Sequence, residues 1–208
     1  MDMLRLFIAI DTPAAVKREM ALLRDELAPR ARDVRWEAAG KFHCTLQFLG
    51  EVERSRLGSI EQQVESAASG TPPLSLTYAG IGFFPDRTRP RVIWIGIRES
   101  GGGLARLQER ISGGLQGVGF VPEERPFHPH VTLGRLGGGA AGRGAAGRGA
   151  RVLIDTVETR TFEHPPVIIP AVEIMQSVLR PRGSEYVVLR SIPLTGTGGI
   201  SPGSPGWS

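Results

Sequence analysis

Phe42-His43-Cys44-Thr45-Leu46 and Pro129-His130-Val131-Thr132-Leu133 are two copies of one pattern: a histidine, then threonine two residues on, then leucine. Both lie in short stretches of apolar and β-branched residues, which read as strands. Residues two apart on a strand share a face. His43 and Thr45 therefore point one way, and Cys44 and Leu46 the other. His130 and Thr132 repeat the arrangement, with Val131 and Leu133 turned inward. One His-x-Thr on a strand carries almost no information. Two of them, each backed by an apolar face, imply two similar halves presenting the same polar pair to a shared cleft. Imidazole titrates near neutrality, so two histidines there can act as a general acid and a general base. Two threonine hydroxyls can donate to non-bridging phosphate oxygens with no metal required. Phe48-Leu49-Gly50 and Gly134-Arg135-Leu136 continue the two copies.

The segments around the motifs alternate strands and helices. Leu4–Ile10 is a nearly continuous apolar run, as in a strand buried on both faces. Thr12 offers an N-cap with Pro13 at the first helical position, and Val16, Met20, Leu23 and Leu27 follow on one helical face. Leu57, Ile60 and Val64 mark a second helix, and Leu104, Leu107, Ile111 and Leu115 a third. Leu74–Ile81 and Arg91–Ile97 read as paired strands joined through Phe83-Phe84-Pro85-Asp86. Val152–Val157 fits a short helix, and Val167–Val178 and Tyr186–Leu194 two late strands. Helices and strands are interspersed while several strands follow one another directly, which predicts an α+β fold with mixed sheets. Residues 137–150, a Gly/Ala/Arg tract, read as a flexible surface loop in which Arg143 and Arg148 offer an RNA contact. Residues 196–208, rich in Gly, Pro and Ser, read as a disordered tail, leaving 1–195 as one domain.

The composition fits that outline. The chain has 208 residues, 40% hydrophobic and 22% charged, enough to bury a core without a metal or disulfide staple. One cysteine, Cys44, excludes a disulfide framework and Cys-rich zinc modules. No apolar run approaches the roughly 20 residues that span a bilayer, and the acidic start MDMLRLFIAID lacks a cleavage site, so a cytoplasmic protein without membrane contact is expected. The formal net charge is +4, and apart from Lys17 and Lys41 all of the positive charge is arginine. Arginine suits phosphate through its planar fork, although a GC-rich coding bias yields the same excess. The balance permits a phosphate or nucleic-acid ligand without demanding one.

These residues resemble the two-histidine phosphoesterases, and within them the bacterial and archaeal RNA 2′,3′-cyclic phosphodiesterases, also called 2′-5′ RNA ligases. The resemblance runs through Arg5-Leu6-Phe7-Ile8-Ala9-Ile10, His43-Cys44-Thr45-Leu46-Gln47-Phe48-Leu49-Gly50-Glu51, Arg91-Val92-Ile93-Trp94-Ile95-Gly96, Phe127-His128-Pro129-His130-Val131-Thr132-Leu133-Gly134-Arg135, and Gln176-Ser177-Val178-Leu179 with Tyr186. It implies a bilobal α+β fold, with two mixed or antiparallel sheets and flanking helices around a central cleft. It also implies hydrolysis of a 2′,3′-cyclic phosphate, on an RNA end or a small nucleotide, to the 2′-phosphomonoester, with weak reverse ligation. His43 is the implied proton donor and His130 the implied proton acceptor; the two motifs by themselves do not break this symmetry. Thr45 and Thr132 are implied to hold the phosphoryl oxygens, and Arg135 to add a charge-assisted bond. No cofactor or metal is implied, and a monomer is expected. The 137–150 tract is longer than the resemblance leads one to expect.

Other readings stay open on the residues alone. The same cleft would suit another small diester, such as a cyclic phosphate derived from ADP-ribose or a 2′-5′ oligonucleotide. A non-catalytic nucleotide or RNA binder would not need a paired acid and base. His128-Pro129-His130 puts two imidazoles on one strand face, half of a metal site, but the sequence offers no matching third ligand. His164 reads as a loop residue. Phe84 and Trp94 could stack on a base, against a core role. Regular alternation turns Arg135 away from the Thr132 face unless the strand ends or bulges.

Overall fold

The computed structural model describes residues 2–136, 148–181 and 183–196, with the backbone alone for 148–150. Its elements run β1 (Met3–Asp11), α1 (Ala14–Leu27), β2 (Val34–Trp36), β3 (His43–Glu53), α2 (Leu57–Ser69), β4 (Leu74–Phe84), β5 (Val92–Arg98), α3 (Gly103–Gly117), β6 (His130–Leu136), α4 (Arg148–Glu158), β7 (Glu163–Ile169), β8 (Ala171–Arg180) and β9 (Gly183–Pro193). One sheet has the order β3-β1-β8-β9, the other β2-β6-β5-β4-β7. Every ladder among the described residues is antiparallel, so neither sheet is mixed.

The unbroken apolar run of β1 has two destinations. Leu6, Ile8 and Ile10 enter the main core, while Phe7 and Ala9 point to the opposite face with Met175. The main core joins both sheets and the helices: Ile8 and Ile10, Ile93 and Ile95, Val16 and Met20 of α1, and Leu107 and Ile111 of α3 are all fully buried in one cluster. Burying each such side chain contributes about 1.5–3 kcal/mol of transfer free energy. This apolar layer, rather than the polar contacts above it, holds the two sheets at a fixed separation. The apolar faces read from the sequence for α1 and α3 are those that are buried.

Four expectations change. Thr12 does not cap α1: the helix follows Pro13, no side chain caps it, and the Thr12 hydroxyl is buried toward the Tyr78 phenol. Pro13 itself takes the cap position, and the Thr12 side chain turns into the core. The stretch 167–178 is not one strand. Pro170 divides it into β7, paired with β4, and β8, paired with β1, so the chain changes sheet there. Proline has no N–H to give a ladder, so the ladder breaks at that residue. His164 is not in a loop; it lies buried on β7 opposite Tyr78 and its Nδ1 lies 2.8 Å from the Pro165 carbonyl. Finally, 148–150 belong to the first turn of α4 rather than to a loop. The rest of the 137–150 tract, with Arg143, and the tail from 197 lie outside the described residues. Gly196, assigned to that tail, donates its N–H to the Thr71 carbonyl at 2.9 Å.

His43 opens β3 on the edge of the first sheet, and His130 opens β6 inside the second. The segment before β3 straps the two together. Val34–Trp36 pairs with β6, a 3-10 turn at Ala39–Lys41 follows, and the chain then enters β3. Among the described residues no helix is long and apolar enough to cross a membrane.

Candidate active site

The inward and outward alternation expected for both motifs is present: Cys44, Leu46, Val131 and Leu133 are buried, while His43, Thr45, His130 and Thr132 are half-buried on the other face. Each strand then slips by one residue. On β6, Thr132 lies opposite Trp94, but Gly134 and Arg135 lie opposite Ile93 and Val92, so Leu133 is an extra residue. Trp94 and Val92 share a face, and the bulge therefore brings Arg135 round to the side of Thr132. On β3, Thr45 lies opposite Ala9 and Phe48 opposite Phe7, with Leu46 extra. Phe48 thus takes in the first copy the place that Arg135 takes in the second. Gly134 is required at its position, because a Cβ there would meet Val34 at 2.6 Å and Trp36 at 3.0 Å.

Both imidazoles are held in the same way. The His43 Nδ1–H donates to the Lys41 carbonyl at 2.7 Å, and the His130 Nδ1–H donates to the His128 carbonyl at 2.7 Å. A carbonyl can only accept, so each neutral ring carries its proton on Nδ1 and turns the Nε2 lone pair outward. His43 Nε2 lies 3.1 Å from the Thr45 hydroxyl. Aromatic rings wall both sites. Phe7 lies 5.0 Å and Tyr186 5.2 Å from the His43 ring, centre to centre, and Phe84 lies 4.9 Å from that of His130. Trp94 packs on His128 at 4.7 Å, and it lies across Gly82, where a Cβ would come within 2.2 Å of the indole.

This walling sets the electrostatics. Burial pushes His43 down to about 4, against the Lys41 carbonyl and the Asp11 carboxylate, which favour its charged form; Lys17 and His130 lower it further. His130 is also lowered, first by burial and then by His128 and Arg135, with the His128 carbonyl and Glu123 opposing. Both rings are thus driven toward neutrality. Cys44 lies beneath them, where burial pushes its thiol up to about 12 and the His130 backbone N–H works against that. A thiol in that state supplies no thiolate near neutrality.

Charged groups line one end of the cleft. Glu37, on the strap, lies 3.6 Å from Lys41 Nζ and 3.7 Å from Arg135 Nε. Lys41 Nζ also stands 5.7 Å above the Tyr186 ring. Arg35 pairs opposite Arg135 across β2 and β6. His128 and His130 have ring centres 6.3 Å apart, and among the described residues no group of three His, Cys, Asp or Glu side chains is gathered to hold a metal ion.

His43 and Thr45 share one face of β3, and His130, Thr132 and Arg135 one face of β6, with His130 close enough to bear on His43; the motifs point to all five. The motif reading missed Phe7, Glu37 and Lys41, and named Tyr186 without a place for it. Phe7 is hidden in an apolar run whose two faces look alike in sequence. The Glu37–Lys41 spacing of four residues was visible, but its partner Arg135 is far off in the chain.

Comparison with known proteins follows the duplication. The model of the LigT like phosphoesterase family matches twice, over residues 10–94 and 95–183, each match holding one His-x-Thr. A protein of Thermotoga maritima named RNA 2′,3′-cyclic phosphodiesterase is 32% identical over 186 residues, covering 89% of this chain and 93% of its own. One of the same name from Aeropyrum pernix is 31% identical over 181 residues, covering 87% and 98%. The crystal structure of E. coli LigT complexed with 3′-AMP superposes with a TM-score of 0.72 at 26% identity, over 93% of this chain and 99% of that one.

Proposed function

The chain belongs to the LigT like phosphoesterase family, and within it we propose that this enzyme is an RNA 2′,3′-cyclic phosphodiesterase, opening the cyclic phosphate of an RNA end or a small nucleotide to the 2′-phosphomonoester. The observation that carries this reading is the duplicated site: two imidazoles in one tautomer, each with a threonine hydroxyl on its own face. Such a pair fits in-line displacement at phosphorus.

His130 Nε2 takes a proton from water as the water oxygen bonds to phosphorus. The P–O3′ bond breaks, and His43 gives its Nε2 proton to O3′, leaving a 3′-hydroxyl and a 2′-phosphate. The Thr45 and Thr132 hydroxyls donate to the non-bridging oxygens as their charge grows, and Arg135 offers a charge-assisted bond to a neighbouring RNA phosphate. A 5′-hydroxyl taking the place of water in the same displacement gives a 2′-5′ linkage. The roles need no metal: the proton donor and acceptor are side chains, and the donors to phosphate are hydroxyls and a guanidinium.

The test is product analysis on a defined RNA ending in a 2′,3′-cyclic phosphate, with and without EDTA. A 2′-phosphate formed at an unchanged rate in EDTA is expected. A 3′-phosphate product, or activity lost in EDTA and restored by zinc or manganese, overturns the mechanism. Tight binding of 2′-AMP without turnover would leave a binding module.

The direction of the histidine shifts adds a pH expectation. The productive form has one proton on the pair, and both rings lie below the ordinary 6.5, His43 near 4. Raising the pH removes that proton from the free enzyme, so kcat/KM falls on the alkaline side from an apparent pKa below 6.5 that belongs to the pair. A bound phosphate monoanion favours imidazolium, so the alkaline limb of kcat lies at higher pH. Coincident limbs for kcat and kcat/KM would count against burial as the cause.

A further inference from the structure

Glu37 has no part in the mechanism above, yet it is only 14% exposed and lies between two cations on the cleft wall. Its backbone is fixed independently of its side chain: the N–H donates to the Leu133 carbonyl at 2.8 Å, and its carbonyl accepts from Arg24 Nη1 at 2.9 Å. The carboxylate is therefore free to leave without unravelling the strap. Arg135 reaches it from the second sheet, and Lys41 from the 3-10 turn that leads into β3. Lys41 is steadied over Tyr186, whose ring stands nearly perpendicular to that of His43. The charges of Arg5, Arg35 and Arg135 all bear on the same tyrosine. This end of the cleft is therefore a cluster of cations with one internal anion.

The spacing along β6 tells what such a cluster would bind. Arg135 lies on the face of Thr132, and their partners Val92 and Trp94 are two residues apart. Two residues along a strand span about 7 Å, comparable to the step between consecutive phosphates of an extended RNA strand. We propose that Glu37 is an internal competitor of the substrate, its carboxylate occupying, between Arg135 and Lys41, the place that the phosphodiester 5′ of the reacting nucleotide takes when a single-stranded RNA end binds. This rests on the phosphodiesterase reading and deepens it: the preferred substrate is an RNA end, and a mononucleotide leaves the second anion place to Glu37. Lys41 and Arg135 are the specificity-determining cations.

The test compares cytidine 2′,3′-cyclic phosphate with cytidylyl-cytidine 2′,3′-cyclic phosphate, which adds one diester. The readout is the ratio of their kcat/KM values, in which any shared damage to His43 cancels. The wild type is expected to favour the dinucleotide by about tenfold, the worth of one charge-assisted bond. Glu37→Gln is expected to raise the ratio about threefold to tenfold, and Lys41→Met to lower it by a similar factor. The wild-type advantage should also shrink with salt. A lowered ratio in Glu37→Gln would make Glu37 an orienting group for Arg135 and overturn the proposal, as would an unchanged ratio in Lys41→Met. If neither substrate is turned over, the phosphodiesterase reading itself fails. The anion place is then read from equilibrium binding of cytidine 2′-phosphate against cytidylyl-cytidine 2′-phosphate in the same variants, with the same signs expected.

Discussion

His43→Ala is expected to lose about 10²–10⁴-fold in kcat on a 2′,3′-cyclic nucleotide but less than about tenfold on a diester with a p-nitrophenolate leaving group. His130→Ala is expected to be impaired by the larger factor on both. A ribose alkoxide is a poor leaving group and must be protonated as the P–O3′ bond breaks. A nitrophenolate departs unaided. Activation of water is needed in either case, so loss of the base spares neither substrate. The two rings are held alike at Nδ1, by carbonyls two residues upstream, so that contact does not distinguish acid from base. The charges around them do not break the tie: Asp11, opposite His43 on β1, raises that ring and Lys17 lowers it, while Glu123 raises His130 and His128 and Arg135 lower it. His43 as donor and His130 as acceptor is the assignment that the resemblance to the two-histidine phosphoesterases implies. Rescue of His130→Ala by the activated ester, with none for His43→Ala, would reverse the roles. Equal losses everywhere would count against any division of labour.

Thr45→Val and Thr132→Val are each expected to slow turnover of the cyclic phosphate by roughly 10–1000-fold, the range for removing one donor to a developing oxyanion. Valine keeps the β-branched shape that suits a strand. Both positions are half-buried above the core, so the fold should persist with little change in Tm. The two variants should differ in one respect. The Thr45 hydroxyl lies 3.1 Å from His43 Nε2, so Thr45→Val also alters the surroundings of that ring and should move the pH–rate profile. Near-normal rates in both variants would remove the phosphate-holding role.

Periodicity alone located much of this molecule. The helix faces at Val16, Met20, Leu23 and Leu27, and at Leu104, Leu107, Ile111 and Leu115, are legible because a helix must bury one stripe. The alternation in both His-x-Thr strands is legible for the same reason at period two. Where local rules failed, a distant partner had changed the outcome. Thr12 looks like a cap until Tyr78, far along the chain, offers its hydroxyl a buried place. His164 looks like a loop residue beside two prolines until β7 pairs with β4.

The sequence by itself determined which side chains point together within each motif, because strand alternation is a property of neighbouring residues. It also determined that there are two such motifs. Tertiary structure decided how they meet. The one-residue slip after Thr132, which turns Arg135 to the reacting face, depends on the register against β5, and the slip after Thr45 on the register against β1. The carbonyls of Lys41 and His128 that set the histidine tautomers are backbone atoms only two residues upstream of each ring, a local contact that no side-chain pattern displays. Glu37 touches Arg135 only because the strap pairs with β6 before entering β3. Register and cross-sheet charge pairs arise between segments far apart in the chain, and only packing of the shared core brings those segments together.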